Sequence, residues 1–223
     1  QLPGPLFHPP LLWDTIYPQQ DIYLLRLPDD LPGGLYWPHV GLYDFDTLDR
    51  LPVRLETGTE ILDHVTLPPI KVVSARAPDP TQPLQAQFGE WGELLGYDLV
   101  APADPLRPGE QFTVRLYYRS RTAAPGDFTR FLQLYNETAG VAAQTDSPPR
   151  QGGNPTSSWM AGEVIVDEAT LTIAADAAPG EYTLYLGFYP SPTPAERVPL
   201  YSANGERLQH DWLPLATLRL DAP

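Results

Sequence analysis

Apolar and polar residues alternate with a period of two through much of this chain. The clearest stretch is 111–119, where Phe112, Val114, Leu116 and Tyr118 fall on one face and Thr113, Arg115, Tyr117 and Arg119 on the other, as in a strand with one buried side. Residues 128–135 repeat the period. Runs of β-branched, aromatic and aliphatic residues predict further strands over 22–27, 35–43, 51–55, 61–73, 94–99, 141–144, 164–166, 169–174, 182–189, 198–201 and 213–220. The pattern loosens at Pro68 and Pro69. Turn-rich segments lie between these runs: Asp29 to Gly34, the hairpin tip Asp44 to Asp49, Pro105 to Glu110, and a long loop from Asp146 to Ser158. Residues 1–20 carry Pro3, Pro5, Pro9, Pro10 and Pro18, which exclude helix and predict an extended segment. No segment holds a helical apolar stripe longer than about two turns. Short strands between Pro/Gly turns, spaced about 8–12 residues apart, predict an all-β protein of antiparallel sandwich type, Ig-like or jelly-roll-like.

One motif occurs twice. Gly180-Glu181-Tyr182-Thr183-Leu184-Tyr185-Leu186-Gly187-Phe188-Tyr189 has an imperfect copy at Gly34-Leu35-Tyr36-Trp37-Pro38-His39-Val40-Gly41-Leu42-Tyr43. The offset of 146 that relates them also relates Pro9 to Pro155, Trp13 to Trp159, Asp21 to Asp167, Leu67 to Leu213 and Pro68 to Pro214. Arg50/Arg197 and Pro52/Pro199 sit at 147, one residue inserted in the hairpin tip. The pattern predicts tandem sandwich modules: 1–73 as the carboxy-terminal half of a first, a Pro-rich linker over 74–87, and 88–223 as a complete second. The first copy lacks the strands that precede Trp159 in the second, so Gln1 is expected to lie inside a longer protein. Its incomplete sheet is expected to pack on the second module or to borrow strands from another chain.

Charge narrows the partners. Lys plus Arg is 14 against 28 Asp plus Glu, a formal net charge of −14, which opposes binding to nucleic acid and anionic lipid. Lys71 is the only lysine. The absence of cysteine removes disulfides, thiolate metal sites and cysteine nucleophiles, and leaves the compartment open.

Few residues call for chemistry. Asp44, Asp46 and Asp49 have a D-x-D-x-x-D spacing able to offer oxygens to calcium. The loop lacks the glycine and distal glutamate of an EF-hand, and a solvated hairpin is the simpler account. His8, His39, His64 and His210 lie in no metal-binding spacing, and Ser157, Ser158 and Ser191 have no nucleophile-elbow surround. Asn136-Glu137-Thr138 reads as a hairpin turn. No cofactor and no catalytic residue is expected. Exposed aromatic rings beside carboxylates are the usual platform for a pyranose, and Trp13, Trp37, Trp91, Trp159, Trp212 and Tyr97 are of that type. The candidate ligand-binding set is Trp91, Tyr97, Asp146 and Trp159, although a shared packing need is the simpler account of the matched pair Trp13/Trp159.

Glu93-Leu94-Leu95-Gly96-Tyr97-Asp98-Leu99, Pro108-Gly109-Glu110 leading into Val114-Arg115-Leu116-Tyr117-Tyr118, and Phe131-Leu132-Gln133-Leu134 form a recognisable series. It continues through Ala142 to Pro149, Pro155-Thr156-Ser157-Ser158-Trp159, Gly162-Glu163 and the Pro179 to Tyr189 strand. Residues 88–220 thereby resemble the extracytoplasmic β-sandwich region at the carboxy-terminal end of bacterial polytopic membrane proteins of the mannosyltransferase-like (ArnT/PMT-type) class. Residues 9–73 resemble it weakly. In that class the catalytic acids belong to the membrane part, so no catalytic residue carries over. The resemblance implies a non-catalytic accessory region outside the cytoplasm, tethered through a parent membrane protein and recognising a glycan or polymer. A structural spacer making protein contacts and a carbohydrate-active hydrolase are the alternatives.

Overall fold

The alternation over 111–119 becomes a strand whose Phe112, Val114, Leu116 and Tyr118 are sealed from solvent while the residues between them face outward. The computed structural model describes residues 22–54, 61–74, 76, 78–102, 104–191 and 196–222. It divides into two units, 1–31 and 32–223. In the first unit, residues 22–28 adopt no strand, unlike the expectation for 22–27, and a turn follows at 29–30. Trp13 and the other matched positions before Ile22 lie outside the described residues.

The second unit begins with a ladder of short pairs. β1 (Gly34–Tyr36), β2 (His39–Val40), β3 (Val53–Arg54), β4 (Ile61–Leu62), β5 (Val65–Thr66) and β6 (Ile70–Val72) pair as β1–β6, β2–β5 and β3–β4, all antiparallel. There follow β7 (Gln82–Phe88), β8 (Gly92–Val100), β9 (Gln111–Ser120), β10 (Phe128–Asn136), β11 (Gly140–Ser147), β12 (Val164–Thr172), β13 (Gly180–Pro190), β14 (Leu200–Ser202) and β15 (Leu213–Leu220). These form a four-stranded sheet, β11-β10-β13-β15, and a five-stranded sheet, β12-β9-β8-β7-β14. The fold is all-β and antiparallel. Between the sheets, Phe88, Leu94, Leu116 and Tyr118 meet Leu132, Leu184, Leu186 and Phe188. Trp91 and Trp159 belong to the same core, with Phe88, Phe188 and Tyr118 packed edge-on or tilted against them. Each fully buried aromatic contributes on the order of 2–3 kcal/mol.

Two expectations change. Residues 82–87, assigned to a linker, form β7 together with Phe88; it pairs with β8 and, over Ala86 to Phe88, with β14. Pro83 is tolerated because β14 is short and leaves that part of β7 an edge, where no N–H is required. The strands expected over 164–166 and 169–174 are one strand, because Asp167, which reads as a break, is buried in mid-strand.

The partner of Asp167 is also buried. Arg130 of β10 reaches across the sandwich and donates from Nε to Asp167 Oδ2 at 3.1 Å and from Nη1 to Thr145 O at 3.1 Å. The Arg150 N–H donates to Asp167 Oδ1 at 2.7 Å. Burial pushes the Asp167 carboxyl up; the Arg130 guanidinium and the Arg150 N–H pull it back.

The short ladder is fastened to the sandwich by a polar lock. Lys71 Nζ lies 2.9 Å from Glu163 Oε1 and donates to Asn154 Oδ1 at 2.7 Å. Glu163 and Asn154 are both fully buried. Leu35 N donates to Gly153 O at 2.9 Å, Val164 N to Ser74 O at 2.6 Å, and Arg150 Nη1 to Gly33 O.

Candidate functional site

Alternation in β10 sends Leu132 and Leu134 into the core and turns Phe131, Gln133 and Tyr135 to the other face of the four-stranded sheet. Register then sets their neighbours. Phe131 lies opposite Gly187, Gln133 opposite Tyr185, and Tyr185 opposite Pro214 of β15. The glycine at 187 is required by contact: a Cβ there would stand 2.1 Å from the Phe131 ring.

Trp212 enters this face just before β15. Its ring centroid is 5.0 Å from that of Tyr185 and 5.7 Å from that of Tyr135. The Arg197 guanidinium lies over Trp212 at 4.6 Å and over Phe131 at 5.2 Å, and its Nη1 donates to His210 O at 3.1 Å. Burial lowers the Arg197 pKa, though a guanidinium stays charged at any physiological pH. The result is a cleft of about 640 Å³ where three partly exposed rings meet Glu137, Arg197 and His210. Rings offer apolar faces, and the Glu137 carboxylate and the Gln209 amide offer acceptors and donors. The lining contains a single carboxylate, that of Glu137.

A second depression, of about 480 Å³, opens beside Trp91, Phe128, Pro190 and Val198. The Trp91 ring stacks on Phe128 at 4.8 Å between centroids and is 4% exposed, so this notch leaves little of that ring open, whereas the rings at the Trp212 cleft are partly exposed.

The structure separates the residues named from sequence. Trp91, Tyr97 and Trp159 are core. Trp159 is 2% exposed, with its indole N–H donated to Asn154 O at 3.0 Å. The Tyr97 hydroxyl donates to Leu215 O, tying β8 to β15, and burial raises its pKa. A sealed ring has no face for a ligand. Asp146 is exposed, opposite Phe131 on the same outer sheet face as the cleft, and accepts from the Tyr189 hydroxyl at 2.9 Å. Trp37 is exposed on the short ladder. At the hairpin tip, Asp44 Oδ1 accepts the N–H groups of Asp46 at 2.9 Å and Thr47 at 3.0 Å. These two backbone donors hold its carboxyl below the usual range. Asp44 thus closes its own turn, and among the described residues no three His, Cys, Asp or Glu are gathered so as to hold a metal.

Sequence reasoning named Trp212 by type alone and passed over Tyr135, Tyr185 and Arg197 as site residues. The available signal was aromatic residues on the polar-facing positions of 128–135 and 182–189, but only sheet order brings them to Trp212.

Fold and cleft together define an antiparallel β-sandwich with an aromatic-lined groove on the outer face of one sheet. No family model matches the chain, and no curated protein matches it. Among solved structures, the crystal structure of the C-terminal domain of Wzt is similar, with 14% identity, a TM-score of 0.44, and coverage of 64% of this chain and 82% of that one. That similarity is too low to transfer a ligand.

Proposed function

We propose that this chain is a non-catalytic binding region that recognises a glycan or related polymer in the cleft formed by Trp212, Tyr135 and Tyr185. The observation that carries the reading is the convergence of three partly exposed rings, from β10, from β13 and from the residue just before β15, on one groove, with Arg197 seated over Trp212. A pyranose presents an apolar face and a rim of hydroxyls; rings stack on the first while Glu137 and Gln209 pair with the second. A hydrolase needs two carboxylates about 5–10 Å apart, and the lining supplies Glu137 alone, which favours binding over turnover. The resemblance of residues 88–220 to extracytoplasmic regions of membrane mannosyltransferase-like proteins supports a place outside the cytoplasm, tethered through a larger membrane protein.

The test is a glycan-array screen of the chain beside Trp212→Ala, Tyr185→Ala and, as a surface control, Trp37→Ala. Stacking one ring on a sugar is worth on the order of 1–2 kcal/mol, so Trp212→Ala weakens a hit about tenfold. Trp37→Ala leaves it unchanged. Silence across the array, or a hit indifferent to Trp212 and Tyr185 while circular dichroism shows an intact fold, would replace this reading with that of a structural spacer.

A further inference from the structure

The short ladder is laid out like the β13–β15 edge of the sandwich. β13 meets β15 at Tyr182↔Leu218 and, after a one-residue slip, at Tyr185↔Pro214 and Leu186↔Leu213. β1 meets β6 at Tyr36↔Ile70 and, after the same slip, β2 meets β5 at His39↔Thr66 and Val40↔Val65. The tips also agree: Val198 N donates to Phe188 O at 2.8 Å, and Leu51 N to Leu42 O at 2.8 Å. The bridge Tyr201↔Arg207 has its counterpart in Arg54↔Ile61.

This correspondence equates Val40 with Leu186, Leu42 with Phe188 and Leu51 with Val198. In the sandwich those three are 0%, 0% and 5% exposed; in the short ladder they are 53%, 39% and 41% exposed. What differs is the cover on the face and along the edge. Leu186, Phe188 and Val198 pack in the core between the two sheets, with Phe88 stacked on Phe188 at 4.7 Å, and β13 also carries β10 along its other edge, with Arg130 opposite Phe188 and Phe131 opposite Gly187. Along the matching edge of the short ladder, Leu35 N is bound to Gly153 O, and beyond it no described residue pairs. Alternate backbone groups of a strand point to opposite edges. Because Pro38 O and Leu42 O face the hairpin partner, the peptide groups of Trp37, His39, Gly41 and Tyr43 face the open side.

We infer that the strand through residues 37–43 is a docking edge that takes up an extended segment of a separate polypeptide, added antiparallel with apolar residues alternating as in β10. Main-chain hydrogen bonds supply the attachment and alternate side chains the selectivity. The incoming strand flanks Val40 and Leu42 as Leu132 and Arg130 flank Leu186 and Phe188. Charge selects the occupant further. Asp44, Asp46 and Asp49 cluster at the tip, beside the position that corresponds to Arg130, so a basic residue there is favoured. A second copy of this chain is opposed by a net charge of −14 on each.

The probe is a capped, fluorescent peptide with the sequence of Phe128–Asn136, added to the full 223-residue chain. Saturable binding is expected, with amide exchange slowed at Trp37, His39, Gly41 and Tyr43. Val40→Arg, a substitution at an exposed site that leaves thermal melting unchanged, weakens binding at least tenfold, since it removes the apolar cross-strand partner and sets a second cation beside the incoming basic residue. No saturable binding up to about 1 mM, equal binding of a scrambled peptide without alternation, or slowed exchange confined to the sandwich strands would each overturn the inference. So would a concentration-dependent dimer abolished by Val40→Arg, which would give the edge to a second copy.

Discussion

Replacing Arg130 with methionine removes the cation from a pair whose side chains are 2% and 0% exposed and whose N···O distance is 3.1 Å. The Asp167 carboxylate then keeps the Arg150 N–H and the field of the Arg150 charge, and loses the one cation in contact with it. Breaking a buried pair from one side costs about 3–5 kcal/mol, because the stranded charge has lost its water without gaining a partner. For a unit of this size about 1 kcal/mol moves the melting temperature by roughly 2–4 °C, so Arg130→Met melts roughly 6–20 °C lower at pH 7. The double variant Arg130→Met/Asp167→Leu also loses the charge and leaves only the Arg150 N–H without an acceptor, at about 1–3 kcal/mol. It is therefore more stable than the single variant. The pH sign follows from burial, which already raises Asp167 in the native chain. A raised carboxyl contributes most below its unfolded value, and the contribution is lost as pH rises through the folded value. Without Arg130 the rise is larger, so the deficit of Arg130→Met shrinks on acidification from pH 7 towards 5 and is flat in the double variant. Calorimetry on the three proteins at both pH values decides. Equal melting of single and double variants, or a deficit that grows on acidification, would refute the buried-pair account.

Lys71→Met removes the cation facing Glu163 and Asn154; hydrogen exchange is expected to quicken over residues 33–36 and 70–74 while the amides of β9 and β10 stay protected, and uniform quickening would show that the lock serves the whole unit. The Asp211 carboxyl is held low chiefly by its hydrogen bond from Arg207, with Leu200 N adding to the effect. A lowered carboxyl stabilises above its unfolded value and ceases to do so as pH falls through the folded one, so chemical-shift titration should show the Leu200 amide losing its partner only below the ordinary Asp range, and in Arg207→Ala at a higher pH than in the native chain.

The period of two is a local property, and it was legible: 111–119 and 128–135 read directly as strands, and turn chemistry placed the breaks between them. Local reading failed where a polar or breaking residue had a distant partner. Asp167 split one strand into two expected ones because its Arg130 lies in the other sheet, and Pro83 suggested a linker because the shortness of β14 cannot be read from residues 74–87.

The candidate site shows the same division more sharply. Trp91, Tyr97, Trp159 and Trp212 are equivalent by residue type, and composition cannot rank them. Burial ranks them, and burial is set by which strands neighbour which. β10 beside β13, and β13 beside β15, carry Tyr135 and Tyr185 to Trp212, while the closing of the two sheets seals Trp91 and Trp159 inside. Alternation, charge and turn positions were therefore determined by the sequence alone, because each depends on residues a few positions apart. Sheet order, the buried pairs and the groove were decided only by tertiary structure, because each depends on contacts between strands that the chain separates by tens of residues.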